Sequence, residues 1–304
     1  MGTPVAVVGP GAIGSTVAAL LHAAGHQVLL CGHTPRDHVE VRPDGPGLTG
    51  SSRAPDPIVV PGPVLTDPAD VDGPADVVLL AVKDTQNDGA SGWLARLCDD
   101  RTVVCALQNG VEQIERVGPL CPSSEVVPAV VWFSAEPHPE GWVRLRTGVR
   151  LVLPESDGAH RLADLMRGTG ITVELDPDFV TAAWRKLLVN ALADLMVLTG
   201  RRSGMFRRDD VAALSRRYLA ECLAVARAEG ANLGDDVVDE IVGMFAKAPE
   251  DMTTSMLTDR EAHRRLEWDI RNGVISRKGA QHGLATPISD GLVALLAAAS
   301  DGPG

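Results

Sequence analysis

The sequence predicts two domains, an N-terminal α/β domain with a parallel sheet and a C-terminal domain made only of helices. Short apolar runs alternate with helical segments over the first part of the chain, and from residue 178 onward only helical periodicity remains. The length of 304 residues also fits two domains of roughly 150 residues each. We place the boundary near Asp176, giving domains 1–176 and 177–304, and expect a ligand cleft between them.

The chain opens with a strand, a glycine turn and a helix. The apolar run 5–8 leads into GPGAIG, residues 15–24 continue with helical periodicity, and 28–30 is apolar again. In this context G-x-G-x-x-G is the dinucleotide fingerprint: one glycine for the tight turn, one for backbone approach to the pyrophosphate, and one for helix packing. We therefore predict a Rossmann-type domain whose cofactor-binding turn is Gly9, Pro10, Gly11, Ala12, Ile13 and Gly14.

The remaining segments of the first domain continue this alternation. Strands are predicted at 58–60, 77–82, 102–107, 126–131 and 171–175, with two short edge strands within 142–153 and a helix over 85–98. Segment 43–63 is rich in Pro, Gly and Ser and is predicted to be mainly loop. Such alternation is typical of a mostly parallel sheet covered on both faces.

Helices are predicted in the second domain at 178–199, 209–229, 235–247, 258–282 and 287–300. The last one carries both of its start signals, because Thr286 stands at the N-cap position and Pro287 at the first helical position.

Composition excludes several classes of function. A net charge of −12 without a basic run argues against nucleic acid or an anionic membrane as partner. The five cysteines form no C-x-x-C pair, and the histidines lack metal-ligand spacing, so we expect reduced thiols and no metal. With no leader and no apolar run of membrane-spanning length, we expect a cytoplasmic protein.

Polar side chains recur every fourth residue in WRKLLVNALAD: Lys186, Asn190 and Asp194. The predicted helix around them is otherwise apolar nearly all round, and lysine is rarely buried without a partner or a task. A solvated stripe that continues Arg185, or a lysine that reaches water near the helix start, is the alternative. We interpret the stripe as one wall of a polar-lined cleft.

Four further residues are candidates for this cleft. Lys83 and Asn109 each follow a predicted parallel strand, at the sheet edge where ligands bind, although ordinary loops also carry these residue types. In the helical half, Ser255 and Glu267 are candidates, and the alternative for Glu267 is a solvated position on a charged helix. A buried lysine needs a nearby acid, for which Asp194 and Glu267 are available.

These residues combine into one chemical hypothesis. A nicotinamide cofactor on the first domain delivers hydride to a carbonyl, and the alkoxide that develops must be protonated. A lysine whose pKa burial lowers toward neutrality is a suitable acid, and asparagine side chains can hold the substrate oxygens.

The motifs GPGAIG, AVK, LQNG, WRKLLVN, and SML followed by AHRRLEWDIRNG resemble, in this order and spacing, those of the ketopantoate reductase (2-dehydropantoate 2-reductase) family. The resemblance spans residues 5–300. It implies NADPH-dependent reduction of a small 2-oxo acid, ketopantoate, to (R)-pantoate in pantothenate and coenzyme A biosynthesis. It also implies a Rossmann domain followed by a helical domain similar to that of 6-phosphogluconate dehydrogenase.

The resemblance further implies individual roles. Lys186 would be the general acid, and Glu267 would bind the substrate hydroxyl and support the lysine. The substrate would be held by Asn109, Asn190 and Ser255. Lys83 would contact cofactor and substrate, and we count Asn109 on the cofactor side as well.

Two departures from the family pattern leave alternatives open. Asp194 stands where the family usually has asparagine; as a substrate-facing acid it would repel an anion unless protonated or paired with Lys186. After the second strand His33 replaces the usual arginine, and we expect Arg36 to select NADP. The alternatives are a reductase of another 2-oxo acid or ketone, and a non-catalytic NADP-binding sensor. The apolar helical half is compatible with a homodimer.

Overall fold

The computed structural model describes residues 5–44 and 56–302, and the chain divides into two compact units. The first unit comprises residues 1–108 and 112–179, and the second comprises 109–111 and 180–304. The short segment that follows the predicted strand 102–107 is thus counted with the helical unit. Part of the predicted loop 43–63, residues 45–55, lies outside the described residues.

The first unit contains all twelve strands of the described ranges. They are β1 (Val5–Val8), β2 (Val28–Cys31), β3 (His38–Pro43), β4 (Ile58–Pro61), β5 (Val77–Leu80), β6 (Val103–Ala106), β7 (Glu125–Pro128), β8 (Val130–Trp132), β9 (Ala135–Pro137), β10 (Val143–Leu145), β11 (Val149–Pro154) and β12 (Ile171–Asp176). Five of them form a sheet in the order β2-β1-β5-β6-β7, in which every neighbouring pair is parallel. Two smaller sheets have the orders β4-β3-β10-β9 and β12-β11-β8.

The parallel sheet is buried on both faces. Strand β1 illustrates this burial, since Val5 and Val7 belong to one apolar cluster while Ala6 and Val8 belong to another. Successive side chains of a strand point to opposite faces, so a strand covered on both sides must be apolar throughout. The helices of this unit are α1 (Ala12–Ala23), α2 (Asn87–Leu97), α3 (Gln113–Val117) and α4 (Asp157–Leu165).

The second unit is helical in its described residues. Its helices are α5 (Phe179–Ala193), whose first residue still belongs to the first unit, α6 (Leu195–Thr199), α7 (Asp209–Ala228), α8 (Asp236–Lys247), α9 (Ser255–Glu261), α10 (Val274–Gln281) and α11 (Pro287–Ser300). One apolar cluster runs through the unit and includes Phe206 and Tyr218. The predicted fold class, a parallel-sheet domain followed by a helical one, is confirmed.

Three predicted elements are interrupted. The predicted helix 178–199 is divided at Asp194 into α5 and α6. The predicted helix 258–282 is wrong as one element: α9 ends at Glu261, His263 adopts a left-handed φ of 52°, and a π-helical segment, Asp269–Gly273, precedes α10. The predicted strand 126–131 is also divided, because β7 and β8 pair in different sheets.

Two strands, β3 and β9, were not predicted. Both lie in the four-stranded sheet, and β3 carries His38, Glu40 and Arg42 at alternate positions, so its sequence lacks a continuous apolar run. The predicted start of α11 is correct, since Pro287 is its first residue.

Residues 5–44 and 56–302 contain no helix with both the length and the apolar character needed to traverse a lipid bilayer. All five cysteines are free thiols. Within the described part of the chain, His, Cys, Asp and Glu side chains form no group of three or more that could hold a metal ion.

Candidate functional site

The glycine turn joins β1 to α1, and a Cβ would meet different surroundings at each of its three glycines. Gly9 has a φ of +92°, and a Cβ added there would lie 2.6 Å from the Val82 Cγ1 atom. A Cβ on Gly14 would lie 2.3 Å from the carbonyl oxygen of Gly9, so this glycine allows the helix to pack on the turn. Gly11 is exposed, and a Cβ there would meet nothing within 4 Å.

The space in front of Gly11 fits an anionic ligand. Gly11 is the N-cap of α1, and no side chain caps this helix end. Free N–H groups at a helix N-terminus, together with the helix dipole, bind phosphate. Ala12 and Ile13 form the first turn of α1, while Pro10 is buried behind it. The predicted cofactor-binding turn therefore lies at a helix N-terminus of the kind that binds anions.

Three charged or titratable side chains of the first unit were predicted to contact the cofactor. Arg36 is exposed and its Nη1 atom donates a hydrogen bond of 3.4 Å to the Pro10 carbonyl oxygen, so it lies beside the glycine turn. His33 is exposed after β2, with its Nδ1 atom 2.8 Å from the Thr34 hydroxyl. Lys83 follows β5, as predicted from the sequence, and is the N-cap residue of a short 3-10 turn.

In the second unit, α5 carries the stripe Lys186, Asn190 and Asp194 on one face, since residues four apart are neighbours on a helix. Exposure falls along this stripe: Lys186 is partly buried, Asn190 is 8% exposed and Asp194 is 0% exposed. Lys186 is thus neither fully buried nor on a solvated face. The stripe runs from the surface into the core of the unit.

The charge of Lys186 is destabilised by its surroundings. Burial, and secondarily the guanidinium of Arg271, lower the pKa of Lys186 from 10.5 to about 8. Removing water from around an ammonium disfavours its charged form, and a nearby cation does the same. A lysine with such a pKa is protonated at neutral pH and releases its proton more readily than an ordinary lysine.

Asn109, Asn190 and Glu267 form a hydrogen-bonded chain. Asn190 Nδ2 donates to Asn109 Oδ1 over 3.2 Å, and Asn109 Nδ2 donates to Glu267 Oε2 over 3.5 Å. Gly110 allows the close approach, because it has a φ of +99° and a Cβ there would lie 3.2 Å from Ile270. Three of the predicted substrate-binding and catalytic residues are therefore brought together, although they are far apart in sequence.

Asp194 lies in the interior, beside a cation that the sequence analysis did not identify. Its Oδ1 atom is 2.7 Å from Nη2 of Arg271, whose side chain is 3% exposed. Burial raises the pKa of Asp194 from 3.8 to about 7; Arg271 opposes this rise and Glu267 adds to it. The expectation that Asp194 faces the substrate needs correction, because a carboxyl with no exposed surface cannot contact it without rearrangement.

Arg271 and Asn272 come from the π-helical segment and reach the end of α5. Arg271 Nη2 donates to the Asn190 carbonyl oxygen over 3.2 Å, and Asn272 Nδ2 donates to Ala191 O over 3.4 Å and to the Tyr218 hydroxyl over 2.9 Å. Carbonyl groups at the C-terminus of a helix need such donors. The sequence did not lead us to predict a role for either residue. Two features could have indicated one: both are polar residues in the apolar segment IRNGVI, and the predicted buried acid Asp194 needs a cation as partner.

Ser255 is the first residue of α9 and is exposed. Thr254 caps this helix through its side chain, so the Ser255 hydroxyl is not used as the cap. Arg271 Nη1 donates to Ser255 Oγ over 3.4 Å. Arg271 thus connects Ser255 to the end of α5 and to Asp194.

Family models match both halves of the chain. Ketopantoate reductase PanE/ApbA matches residues 5–158, and its C-terminal model matches residues 178–300. A 2-dehydropantoate 2-reductase of Mycobacterium tuberculosis (strain CDC 1551 / Oshkosh) is 69% identical over 304 residues, covering 100% of both chains.

Solved structures agree with this relationship. The dimeric ketopantoate reductase from Staphylococcus aureus has a TM-score of 0.85 at 28% identity, covering 98% of this chain and 99% of that one. D-mandelate dehydrogenase with NADH and anilino(oxo)acetate has a TM-score of 0.86 at 23% identity, with 98% of each chain covered, which shows a shared fold alone. The chain therefore belongs to the ketopantoate reductase PanE/ApbA family, a family of oxidoreductases.

Proposed function

We propose that this protein reduces 2-dehydropantoate (ketopantoate) to (R)-pantoate with NADPH, a step of pantothenate and coenzyme A biosynthesis. The single observation that carries the proposal is the 69% identity, over the full length, to a 2-dehydropantoate 2-reductase. The polar cluster of the helical unit supports it, because its residue types are those that ketone reduction needs.

Lys186 is the proton donor in this proposal. When bound, the reduced nicotinamide supplies a hydride to the carbonyl carbon of the substrate. Lys186 gives its proton to the carbonyl oxygen as negative charge develops there, and a pKa of about 8 keeps the proton available at neutral pH. Protonation by a positioned side chain contributes about two to four orders of magnitude in rate.

The remaining polar residues orient the substrate. Glu267 is 6% exposed and accepts a hydrogen bond from Asn109, and we assign to its carboxylate the substrate hydroxyl. The amide groups of Asn109 and Asn190 hold the oxo acid oxygens, and the exposed hydroxyl of Ser255 donates to the substrate carboxylate. Glu267 also supports the protonated state of Lys186 electrostatically.

NADPH is the proposed cofactor, and the first unit carries the groups that would hold it. The glycine turn and the N-terminus of α1 would bind the pyrophosphate, and Lys83 would contact the cofactor near the substrate. Arg36, beside Pro10, would bind the 2′-phosphate, with His33 next to the same strand end. Guanidinium groups recognise phosphate oxygens in two-pronged geometry, which favours NADPH over NADH.

A homodimer in the cytoplasm completes the proposal. The S. aureus relative is described as dimeric, and the five thiols of this chain are unpaired, as is usual in a reducing compartment.

The decisive experiment follows NADPH absorbance with purified protein and ketopantoate, with NADH and a panel of other 2-oxo acids in parallel. We expect fast NADPH oxidation with ketopantoate and slower oxidation with the other acids. Faster oxidation with another oxo acid would support the reaction type, reduction of a 2-oxo acid, but would reject ketopantoate as the substrate. Binding of NADPH without any oxidation would support a non-catalytic sensor instead.

The alternative of a different oxo acid substrate depended on Asp194 facing the ligand. Because Asp194 is fully buried beside Arg271, the repulsion of an anionic substrate no longer follows from this residue. The sensor alternative would leave the lowered pKa of Lys186 without a use.

A further inference from the structure

Asp194 and Arg271 form a buried ion pair, and the proposed reaction gives it no direct role. The side chains are 0% and 3% exposed, and their charged atoms lie 2.7 Å apart. Burying two charges is costly, and apolar residues of similar size often serve stability as well or better. A buried ion pair at this place is therefore expected to do something besides stabilising the fold.

Arg271 makes three polar contacts with two nitrogen atoms. Nη2 lies beside Asp194 Oδ1 and donates to the Asn190 carbonyl oxygen, while Nη1 donates to Ser255 Oγ. The planar fork of a guanidinium can make such divergent contacts, whereas a lysine ammonium at the end of its flexible stem cannot reproduce them. Asp194 holds this fork in place from the interior side.

The contact with Ser255 has a consequence for the direction of its hydroxyl. A serine hydroxyl has one hydrogen to donate and two acceptor positions. Since Arg271 Nη1 occupies an acceptor position of Ser255 Oγ, the single O–H remains free to donate outward. Ser255 is exposed, so this hydrogen is available to an anionic oxygen of a ligand.

The contact with Asn190 acts on the main chain. The Asn190 carbonyl oxygen also accepts from the Asp194 backbone N–H over 3.2 Å, at the point where α5 ends and α6 begins. Arg271 thus stabilises the helix end that positions the Asn190 side chain. The segment that supplies Arg271 is π-helical, a conformation that often occurs at functional sites.

We propose that Asp194 and Arg271 form a positioning pair that orients the Ser255 hydroxyl and the Asn190 turn for binding of the 2-oxo acid carboxylate. Neither member touches the substrate. The inference rests on the proposed function, because it assigns to Ser255 and Asn190 the substrate that this function names. The guanidinium also lies close enough to Lys186 to influence its protonation.

Among the described residues, Lys186, Glu267 and Tyr218 are titratable groups that interact electrostatically with the pair. Removing the Arg271 cation raises the pKa of Lys186. Removing the Asp194 anion leaves the charge of Arg271 without its partner, which lowers the pKa of Lys186 further. The two single substitutions are therefore expected to shift the alkaline limb of kcat in opposite directions. A purely structural pair would not produce opposite shifts.

The test uses the full-length protein and four variants: Arg271→Met, Asp194→Asn, Asp194→Leu/Arg271→Met, and Arg185→Met as the matched control. Arg185 precedes Lys186 and pairs with Glu240 on the exposed side of α5, so its loss removes a cation without touching Ser255 or Asn190. The measurements are KM and kcat over pH, and calorimetric binding of ketopantoate to the NADP⁺ complex, which cannot turn over.

For Arg271→Met we expect KM and the ketopantoate Kd to rise about tenfold or more, the effect of losing a hydrogen bond to a charged group. Its alkaline limb moves to higher pH, and that of Asp194→Asn moves to lower pH. The double variant, which contains no buried charge at this place, recovers thermal stability but keeps the raised KM. The control keeps the values of the wild type.

Turnover of ketopantoate by the wild type is measured first. If the wild type does not reduce ketopantoate, the proposed function is rejected. The positioning role of the pair is then tested with an oxo acid that does bind. With an active wild type, recovery of KM in the folded double variant would overturn the positioning role. Limbs that stay in place in both single variants would overturn it as well. If a single variant does not fold, the double variant alone decides through its KM and Kd.

Discussion

The two units build their functional regions from different materials. In the first unit the part of the predicted cofactor site that would hold the pyrophosphate consists of main-chain atoms of one continuous segment, Gly9 to Gly14, at the start of α1. In the second unit the predicted substrate site consists of side chains from four separate segments: Asn109, the stripe of α5, Ser255, and Glu267 with the π-helical turn. A site made of main-chain atoms of one segment can be recognised in the sequence as a short motif. A site made of side chains from separate segments can be recognised only once the fold shows which segments come together.

The difference predicts that substitutions in the two units will separate binding of cofactor from chemistry. The largest effect is expected for Lys186→Ala. Loss of the proton donor should lower kcat by about two orders of magnitude or more, while the Kd for NADPH, determined by the first unit, stays within about a factor of two.

Steady-state kinetics and a fluorescence titration of NADPH check this prediction. Arg185→Ala is the control, since it removes the neighbouring cation on the exposed side of the helix. An unchanged kcat in Lys186→Ala would remove this lysine from the mechanism. A large rise in the NADPH Kd would show that the two units do not divide the work in this way.

The first unit offers the opposite separation at Gly11. Alanine fits there without any contact inside the protein, so the thermal midpoint of Gly11→Ala should not fall. Its Cβ would occupy the space for the pyrophosphate, and the Kd for NADPH should rise about tenfold or more, as expected when a close backbone contact is blocked. Thermal unfolding and a titration of NADPH measure both quantities.

Two glycines serve as controls for this result. Gly14→Ala places a Cβ 2.3 Å from the Gly9 carbonyl oxygen and should destabilise the unit, by about 1–3 kcal/mol as overpacking does. Gly89→Ala lies within α2 with nothing near its Cβ and should leave both stability and cofactor binding intact. Normal NADPH affinity in Gly11→Ala would place the pyrophosphate elsewhere.

The pH dependence of the reaction should report the second unit alone. The proposed general acid must be protonated before hydride transfer, and the pKa of Lys186 is about 8. Below this pH the lysine carries its proton and kcat is constant; above it kcat should fall about tenfold per pH unit. In the reverse direction, oxidation of pantoate, the same group acts as base and the rate should rise with pH instead.

A pH profile of kcat in both directions, with NADPH binding measured at each pH, checks the sign. A reductive rate that stays level well above this pH would exclude Lys186 as the titrating donor. If instead binding of NADPH accounts for the whole decline, the titrating group belongs to the first unit.

The sequence predicted the parallel sheet of the first unit and the start of the last helix of the second. Parallel strands buried on both faces are apolar runs, and α11 begins at the Pro287 that marked it. The interruptions were not predictable, because the sequence around Asp194 and before Asp269 has the periodicity of a continuous helix. Arg271 in particular pairs with an acid more than 70 residues away in sequence, and no local pattern records such a pairing.

The smallest effect is expected at Arg36. It tests whether a side chain of the first unit, in addition to the main chain of the glycine turn, contributes to cofactor binding. Arg36 is the side chain next to the glycine turn that we expect to distinguish NADPH from NADH, through its position beside Pro10. Arg36→Ala should raise KM for NADPH about fivefold to tenfold and leave KM for NADH nearly unchanged, since only NADPH carries the 2′-phosphate. The effect is limited because an exposed ion pair is screened by salt, and it should shrink as ionic strength rises.

Arg42→Ala, which removes an arginine paired with Glu40 on β3, is the control for net charge. An equal rise for both cofactors would mean that Arg36 supports the turn through its hydrogen bond to Pro10 and does not read the phosphate.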